Sequence, residues 1–168
     1  MPKSKVMVAL RDHSAELMGL AAQLTSALGG ELIVLHVVQI PIATPIDAPD
    51  EVIDRAGREV LAWAAKTAKG KIQGSLKTRL LRARNVAEAI ISEAREEGVD
   101  LLLLGHRRHP DFASIFSNSI SNYVTRHAPC KVIVQVLPRS WKYQPGLYTL
   151  EQAGDLKDAS RHDQPHAS

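Results

Sequence analysis

The sequence has little of several features that would define a special class. It contains one cysteine, Cys130, and only 4% aromatic residues in a chain of 168. A lone cysteine excludes an intramolecular disulfide framework and a zinc site built from cysteines. No apolar run approaches the roughly 18 residues that a membrane-spanning helix needs, and the first apolar stretch is too brief for a signal peptide. These absences predict a cytoplasmic protein without a membrane anchor.

Charge and composition narrow the class further. The chain is 45% hydrophobic and carries 21 Lys and Arg against 18 Asp and Glu, a balance that excludes wholesale disorder. The net charge of +3 is scattered along the sequence. Nucleic-acid binders concentrate basic residues on one face and add aromatic residues for stacking. The composition therefore argues against direct nucleic-acid binding.

Short apolar runs alternate with segments of helical periodicity before residue 138. The apolar runs predict strands over residues 6–10, 32–38, 76–81, 99–104 and 131–136. Apolar residues at helical spacing predict helices over residues 14–28, 50–70, 85–98 and about 117–127. Strands that alternate with helices predict a parallel sheet with right-handed crossovers, and therefore an α/β domain.

Capping residues mark the starts of the predicted helices. Asp12 and Ser14 are both candidate caps of the first helix. Asp50 is the candidate cap of the second helix and Asn85 that of the third. The third strand, residues 76–81, is more polar than the others and partly alternating, which is typical of a sheet edge.

The C-terminal part of the chain differs in composition from the rest. Residues 138–168 are polar, mixed in charge and contain three prolines. We interpret residues 1–137 as one domain and residues 138–168 as an extension that docks near its start and is partly disordered near its end.

Several segments resemble the universal stress protein family. They are residues 5–28, 33–38, 87–90, 98–105 and 119–134, within a match over about 4–137. The last segment, which ends in Ala-Pro-Cys-Lys-Val-Ile-Val, is the most specific. The resemblance implies a five-stranded parallel-sheet sandwich of the flavodoxin-like or adenine-nucleotide-hydrolase-like type, with strand order 3-2-1-4-5 and helices on both faces. That fold agrees with the alternation of strands and helices.

The family's ATP-binding motif is only partly present. Members that bind ATP carry a Gly, two residues, a second Gly, nine residues and then Gly-Ser or Gly-Thr. Glycines let the backbone approach phosphates, and helix N–H groups bind them. This sequence keeps Gly105 and Ser119 but has Arg108 and Asn118 at the other two glycine positions. Because Arg108 is bulky where backbone must lie close to a phosphate, we expect no conventional ATP site.

Arginines follow three of the predicted strands. Arg11 stands where ATP binders commonly carry an Asp, and Arg84 stands in a turn that often has Gly. Arg107 and Arg108 follow the fourth strand. Ligands of open parallel sheets bind beyond the carboxyl ends of the strands, where the strand order reverses. Because guanidinium groups form paired bonds to phosphate, this rim predicts an anion such as phosphate, a nucleotide or a cyclic dinucleotide.

An alternative interpretation is that these arginines pair with local acids such as Asp12 and Asp111. The candidate ligand-binding residues are Ala9, Arg11, Val37, Arg84, Gly105, Arg107, Arg108, Asn118, Ser119 and Ile120. No resident cofactor is assigned, while ATP or another adenine nucleotide stays open as the alternative.

Other candidate sites have weaker support. His106 and His109 lack a carboxylate or cysteine at ligand spacing, so we expect a solvated loop and no metal. Cys130 is expected to be a buried, inert thiol, and His36 a core histidine. No Gly-x-Ser-x-Gly elbow surrounds Ser119, and no acid–base pair stands out. We therefore assign no catalytic residue.

The fifth strand predicts how the protein assembles. It is apolar and lacks the charges that normally protect an edge strand. Either the C-terminal extension covers it or a second chain does. The resemblance implies antiparallel pairing of two such strands, so we predict a homodimer with Val132, Val134 and Val136 near its two-fold axis.

The sequence as a whole favours a small dimeric stress-response regulator that is not an enzyme. Its mechanism would be a population shift, in which a ligand at the rim alters a surface that another protein recognises. One alternative is an ATP- or AMP-binding protein with weak ATPase activity. Another is an interaction scaffold without a small ligand.

Overall fold

The computed structural model describes residues 3–107 and 119–137. In these residues five strands alternate with four helices: β1 (Lys5–Ala9), α1 (Ala15–Ala27), β2 (Glu31–Gln39), α2 (Glu51–Ala68), β3 (Leu76–Ala83), α3 (Val86–Glu96), β4 (Leu101–Arg107), α4 (Ile120–His127) and β5 (Lys131–Leu137). The strands are parallel and lie in the order β3-β2-β1-β4-β5. The predicted fold and strand order are confirmed.

Two parts of the sequence-based prediction lie outside the described residues. One is the C-terminal extension, residues 138–168. The other is the segment 108–118, which contains the candidate site residues Arg108 and Asn118. No helix in the described ranges is both long enough and apolar enough to cross a membrane.

Local capping explains where the helices begin. At each N-cap the side chain accepts a hydrogen bond from the backbone N–H three residues later, at Ser14 (3.3 Å), Asp50 (3.1 Å), Asn85 (3.2 Å) and Ser119 (3.1 Å). Ser14 rather than Asp12 therefore caps α1. The fourth helix begins at Ile120, three residues after the predicted start, because Ser119 is its cap. Gly29 and Gly98 follow α1 and α3 with φ of 60° and 64°, the left-handed conformation that ends a helix.

The sheet is buried on both faces. Alternate residues of β2 point to opposite sides, so Leu32 and Val34 pack against α1 and α2. Ile33 and Leu35 instead join the cluster formed with α3 and α4. This alternation places Val37 on the α3/α4 side and His36 on the α1/α2 side.

The fourth strand extends further than the sequence predicted. It ends at Arg107 rather than Leu104, because Gly105, His106 and Arg107 continue the pairing with β5. The expected solvated loop position of His106 is therefore wrong. Its ring is half-buried, and its buried Nε2 atom has no hydrogen-bond partner among residues 3–107 and 119–137.

Candidate functional site

A cavity of about 460 Å³ opens at the carboxyl edge of the sheet, between α3 and α4. Its wall comes from the end of β2, the connection between β3 and α3, and one side of α4. The described lining residues are Gln39, Arg84, Asn85, Val86, Ala87, Ser119, Ile120, Asn122, Tyr123, Arg126 and His127. These residues include two arginines and a histidine but no carboxylate, so the lining is basic.

Two helix N-termini meet at this cavity. Asn85 and Ser119 are the N-caps of α3 and α4, and both line the wall. The first turn of a helix has backbone N–H groups without intrahelical partners and carries a positive partial charge. Both helix starts therefore add to the positive potential that the arginines create, and the arrangement suits an anion.

Arg84 connects the cavity with a neighbouring loop. Its Nη1 atom donates a hydrogen bond to the backbone oxygen of Pro41 at 2.8 Å. Gln39 donates from Nε2 to the backbone oxygen of Arg84 at 3.5 Å. Arg84 forms no ion pair with any residue in 3–107 or 119–137. Among these residues the alternative of pairing with a local acid is therefore wrong for Arg84, whose partner is a carbonyl group.

The sequence prediction missed one side of α4. Tyr123 and His127 stack with ring centroids 4.2 Å apart and an angle of 23° between the planes. The backbone oxygen of Tyr123 lies 2.8 Å from Nδ1 of His127, so that nitrogen carries the proton and Nε2 is left as the other polar atom. Arg126 lies beside them in the cavity wall.

A periodic signal for this side of α4 is present in the sequence. The polar lining residues of α4 recur at helical spacing, namely Ser119, Asn122, Tyr123, Arg126 and His127. Residues at i, i+3, i+4, i+7 and i+8 share one face of a helix. A polar stripe of this kind pointing towards the sheet edge would have identified the wall.

The structure separates the predicted ligand residues into groups. Arg84, Ser119 and Ile120 line one cavity. Ala9 and Val37 pack against the α3/α4 core, and Gly105 pairs with Gln135 inside the sheet. These three residues do not line the cavity.

Of the three remaining rim arginines, Arg108 lies outside the described residues. Arg11 is exposed, has an interaction partner and does not line the cavity. Arg107 is the last residue of β4, where its backbone pairs with Leu137. The described cavity lies between α3 and α4, and the predicted rim around β1 and β4 stays a prediction, because Arg108 and Asn118 lie outside the described residues.

The surroundings of His36 and Cys130 explain the direction in which each pKa is shifted. His36 lies 2.8 Å through Nδ1 from the backbone oxygen of Leu10, and burial lowers its pKa, which agrees with a core histidine. Cys130 is half-buried, where a buried thiol was predicted. Burial, followed by the charge of Asp100, raises the pKa of its thiol, which disfavours the reactive thiolate. Among the described residues no group of three His, Cys, Asp or Glu could hold a metal ion.

A family model and several solved structures are similar to this chain. The model of the universal stress protein family matches residues 3–135. A universal stress protein from Archaeoglobus fulgidus superposes with a TM-score of 0.65 at 19% identity, covering 80% of this chain and 94% of that one.

Two similar structures contain adenine nucleotides. An Archaeoglobus fulgidus universal stress protein in complex with dAMP has a TM-score of 0.62 and 18% identity, covering 80% of this chain and 98% of that one. A universal stress protein in complex with cAMP has a TM-score of 0.62 and 22% identity, covering 81% of this chain and 98% of that one. None of the curated proteins matches the chain.

Proposed function

The chain belongs to the universal stress protein family, and we propose that it is a homodimeric stress-response regulator that binds an anionic ligand between α3 and α4. The observation that carries the proposal is the described cavity lining, in which Arg84, Arg126 and two helix N-termini converge without a carboxylate. Such a site attracts negative charge. The protein acts by binding, and its expected cytoplasmic location stays a prediction.

The ligand we propose is a small phosphate-bearing molecule. A volume of about 460 Å³ lies within the range of small-molecule pockets, about 300–1,000 Å³. The arginines supply planar donors for phosphate oxygens, and Tyr123 supplies an aromatic surface. The relatives in complex with dAMP and cAMP support a nucleoside monophosphate as one member of this class.

A second candidate function is ATP or AMP binding with weak ATPase activity. It is supported by the retained Gly105 and Ser119 and by the adenine nucleotides in the two relatives. It is opposed by Arg108 and Asn118, which stand where ATP binders carry glycine. The first candidate has more support because its cavity lies beside α4 and includes neither Ala9 nor Gly105.

Pairing of two β5 strands is the proposed route to the dimer. In the described residues β5 pairs with β4 on one side only. Val136 is 50% exposed, whereas Val132 and Val134 pack partly against the α3/α4 core. An edge strand with apolar side chains and unpaired backbone groups readily accepts another strand.

Isothermal titration calorimetry tests the proposed ligand class. We expect binding of inorganic phosphate, AMP or a cyclic dinucleotide to the purified protein, with ATP no tighter than AMP. Arg126→Gln should weaken binding about tenfold or more, because a hydrogen bond to a charged group contributes about 1.5–3 kcal/mol. Arg95→Gln is the matched control, since Arg95 is exposed in the last turn of α3 and does not line the cavity.

Two results would contradict the proposal in different ways. Absence of heat with all of these compounds at sub-millimolar concentration would remove the anion site altogether. Tight ATP binding accompanied by slow phosphate release would favour the second candidate function instead.

A further inference from the structure

Arg84 belongs both to the cavity wall and to a contact with a neighbouring loop. Its side chain lines the cavity, and its Nη1 atom donates to the Pro41 oxygen at 2.8 Å. Pro41 lies in the β2–α2 loop, residues 40–50, between Gln39 and Glu51. The same Pro41 oxygen accepts the N–H of Thr44 at 3.0 Å. The guanidinium therefore supports the first turn of the loop.

A second arginine holds the other half of the loop. Arg82 donates from Nη2 to the backbone oxygen of Ala48 and pairs with Asp54 of α2 at 2.9 Å. Arg82 does not line the cavity. Of the two arginines that bond to the loop, only Arg84 lines the cavity, so only Arg84 can contact a ligand there. A ligand could therefore change the half of the loop that Arg84 holds while Arg82 keeps the other half bonded.

The half of the loop beside Arg84 carries one strongly exposed apolar side chain, Ile42, which is 89% exposed. Ile46, which is 45% exposed, lies in the second turn, where the Ala48 N–H donates to the Pro45 oxygen and Arg82 holds the Ala48 oxygen. Neither isoleucine has a packing role in the two cores. A change in the turn at Pro41 would therefore alter an exposed apolar surface without disturbing the interior.

We propose that an oxyanion entering the cavity competes with the Pro41 carbonyl for Arg84, so that binding loosens the first half of the β2–α2 loop. The proposal rests on the anion binding proposed above. A carbonyl oxygen has a partial charge and an oxyanion has a full one, so the guanidinium bonds the oxyanion more strongly. By linkage, a partner that prefers the loosened loop raises the affinity for the anion by the same factor.

Amide hydrogen exchange measured by NMR tests this coupling. In the free protein Arg84→Gln should speed exchange of the Thr44 amide about fivefold, the effect of losing one exposed hydrogen bond. Arg95→Gln is the matched control, because Arg95 is an exposed arginine of α3 that does not line the cavity. It should leave that rate unchanged. Unchanged exchange at Ile33, which is fully buried in β2, shows that each variant is folded.

The test is completed by measuring the same amide exchange rates in saturating inorganic phosphate and, for comparison, in sodium chloride at equal ionic strength. Phosphate should speed Thr44 exchange in the wild-type protein about fivefold, with a smaller effect at Ala48. It should add nothing in Arg84→Gln. If phosphate binds and Thr44 exchange stays the same or slows, Arg84 bonds both partners together and the coupling is wrong, although the anion site stands. If phosphate, AMP and a cyclic dinucleotide all fail to bind, both proposals fail; if only a nucleotide binds, the same exchange measurement with that nucleotide decides the coupling.

Discussion

The two edge strands of the sheet, β3 and β5, differ in the charges that they carry. The cations of β3 have acidic partners, with Lys77 bonded to Glu97 at 2.6 Å and Arg79 to Glu93 at 2.6 Å. The hydrogen bond from Lys77 is the main reason why the pKa of Glu97 lies below its usual value. In contrast, the charge of β5 is confined to Lys131 at its first residue.

This difference indicates which end of the sheet is available to a partner. Ion-paired long side chains on an edge strand discourage a second strand from pairing there. The apolar side chains of β5 present no such barrier, and Val136 is half exposed. In residues 3–107 and 119–137, charge therefore protects β3 but not β5, which supports the proposed assembly through β5.

The largest expected effect comes from placing a charge on β5. Val136→Lys should raise the dimer dissociation constant about 100-fold or more, because like charges facing each other in an interface cost several kcal/mol. Analytical ultracentrifugation across a concentration series measures the change. Thr78→Lys is the matched control, because Thr78 is an exposed residue of β3 and should leave the constant unchanged. A wild-type protein that is monomeric at micromolar concentration would remove the proposed β5 dimer.

The next effect concerns the helix that covers the β3 side. A Cβ atom added at Gly57 of α2 would lie 2.7 Å from Leu80 Cδ1 and 3.0 Å from His36 Cδ2. Because alanine favours a helix over glycine at both positions, the free energy of unfolding of Gly57→Ala should lie about 1–3 kcal/mol below that of Gly19→Ala, the usual cost of overpacking. Urea denaturation measures it. The matched control is Gly19→Ala in α1, where an added Cβ meets nothing within 4 Å. Equal stability of the two variants would show that α2 can shift freely over β3.

A smaller loss of stability is expected when acid protonates His36, which lies on the same side of the sheet as α2. The pKa of His36 lies below 6.5, the value expected for histidine in the unfolded chain, and burial is the main cause. Because the unfolded state binds the proton more readily, this contribution to stability is present above that value and decreases as pH falls below it.

Urea denaturation between about pH 7 and about pH 5 tests the role of His36. The groups around it are the Leu10 carbonyl, Asp12 and His13. His36→Gln should remove part of the loss of stability in acid. An identical pH profile in the variant and the wild-type protein would exclude His36 as the cause.

The smallest expected effect comes from the protecting charges themselves. Lys77→Gln should lower the free energy of unfolding by less than about 1 kcal/mol, because the Lys77 side chain is partly exposed and such pairs are screened. The loss should shrink further in high salt. Comparing urea midpoints in low and high salt measures this. A loss of several kcal/mol would mean that the ion pairs of β3 hold the fold together, beyond protecting an edge.

Much of the fold could be predicted because its signals are local. Ser14, Asp50 and Asn85 cap helices through hydrogen bonds that span three residues. The apolar runs gave the positions of the strands, and the polar third strand was correctly placed at an edge. The predictions were wrong mainly at the ends of elements. The fourth strand, for example, continues to Arg107 because its pairing with β5 continues to that residue.

The candidate site was harder to predict because its wall is assembled from distant parts of the chain. Ser119 was recognised as an anion-binding residue, but Arg126 and His127 were not, although they share its face of α4. Arg84 was recognised as a rim arginine, but its bond to Pro41 depends on the contact between two loops. A rim of arginines around β1 and β4 was expected, whereas the described cavity lies beside α3.

The sequence by itself determined the alternation of strands and helices, the helix caps and the contrast between a charged and an apolar edge strand. Each of these depends on hydrogen bonds or periodicity within a few residues, or on side-chain type alone. The tertiary structure decided that Gln39, Arg84 and Arg126 border one cavity and that Arg84 bonds a carbonyl oxygen. These relations depend on the order of strands in the sheet and on the packing of α3 against α4, which bring together residues far apart in sequence.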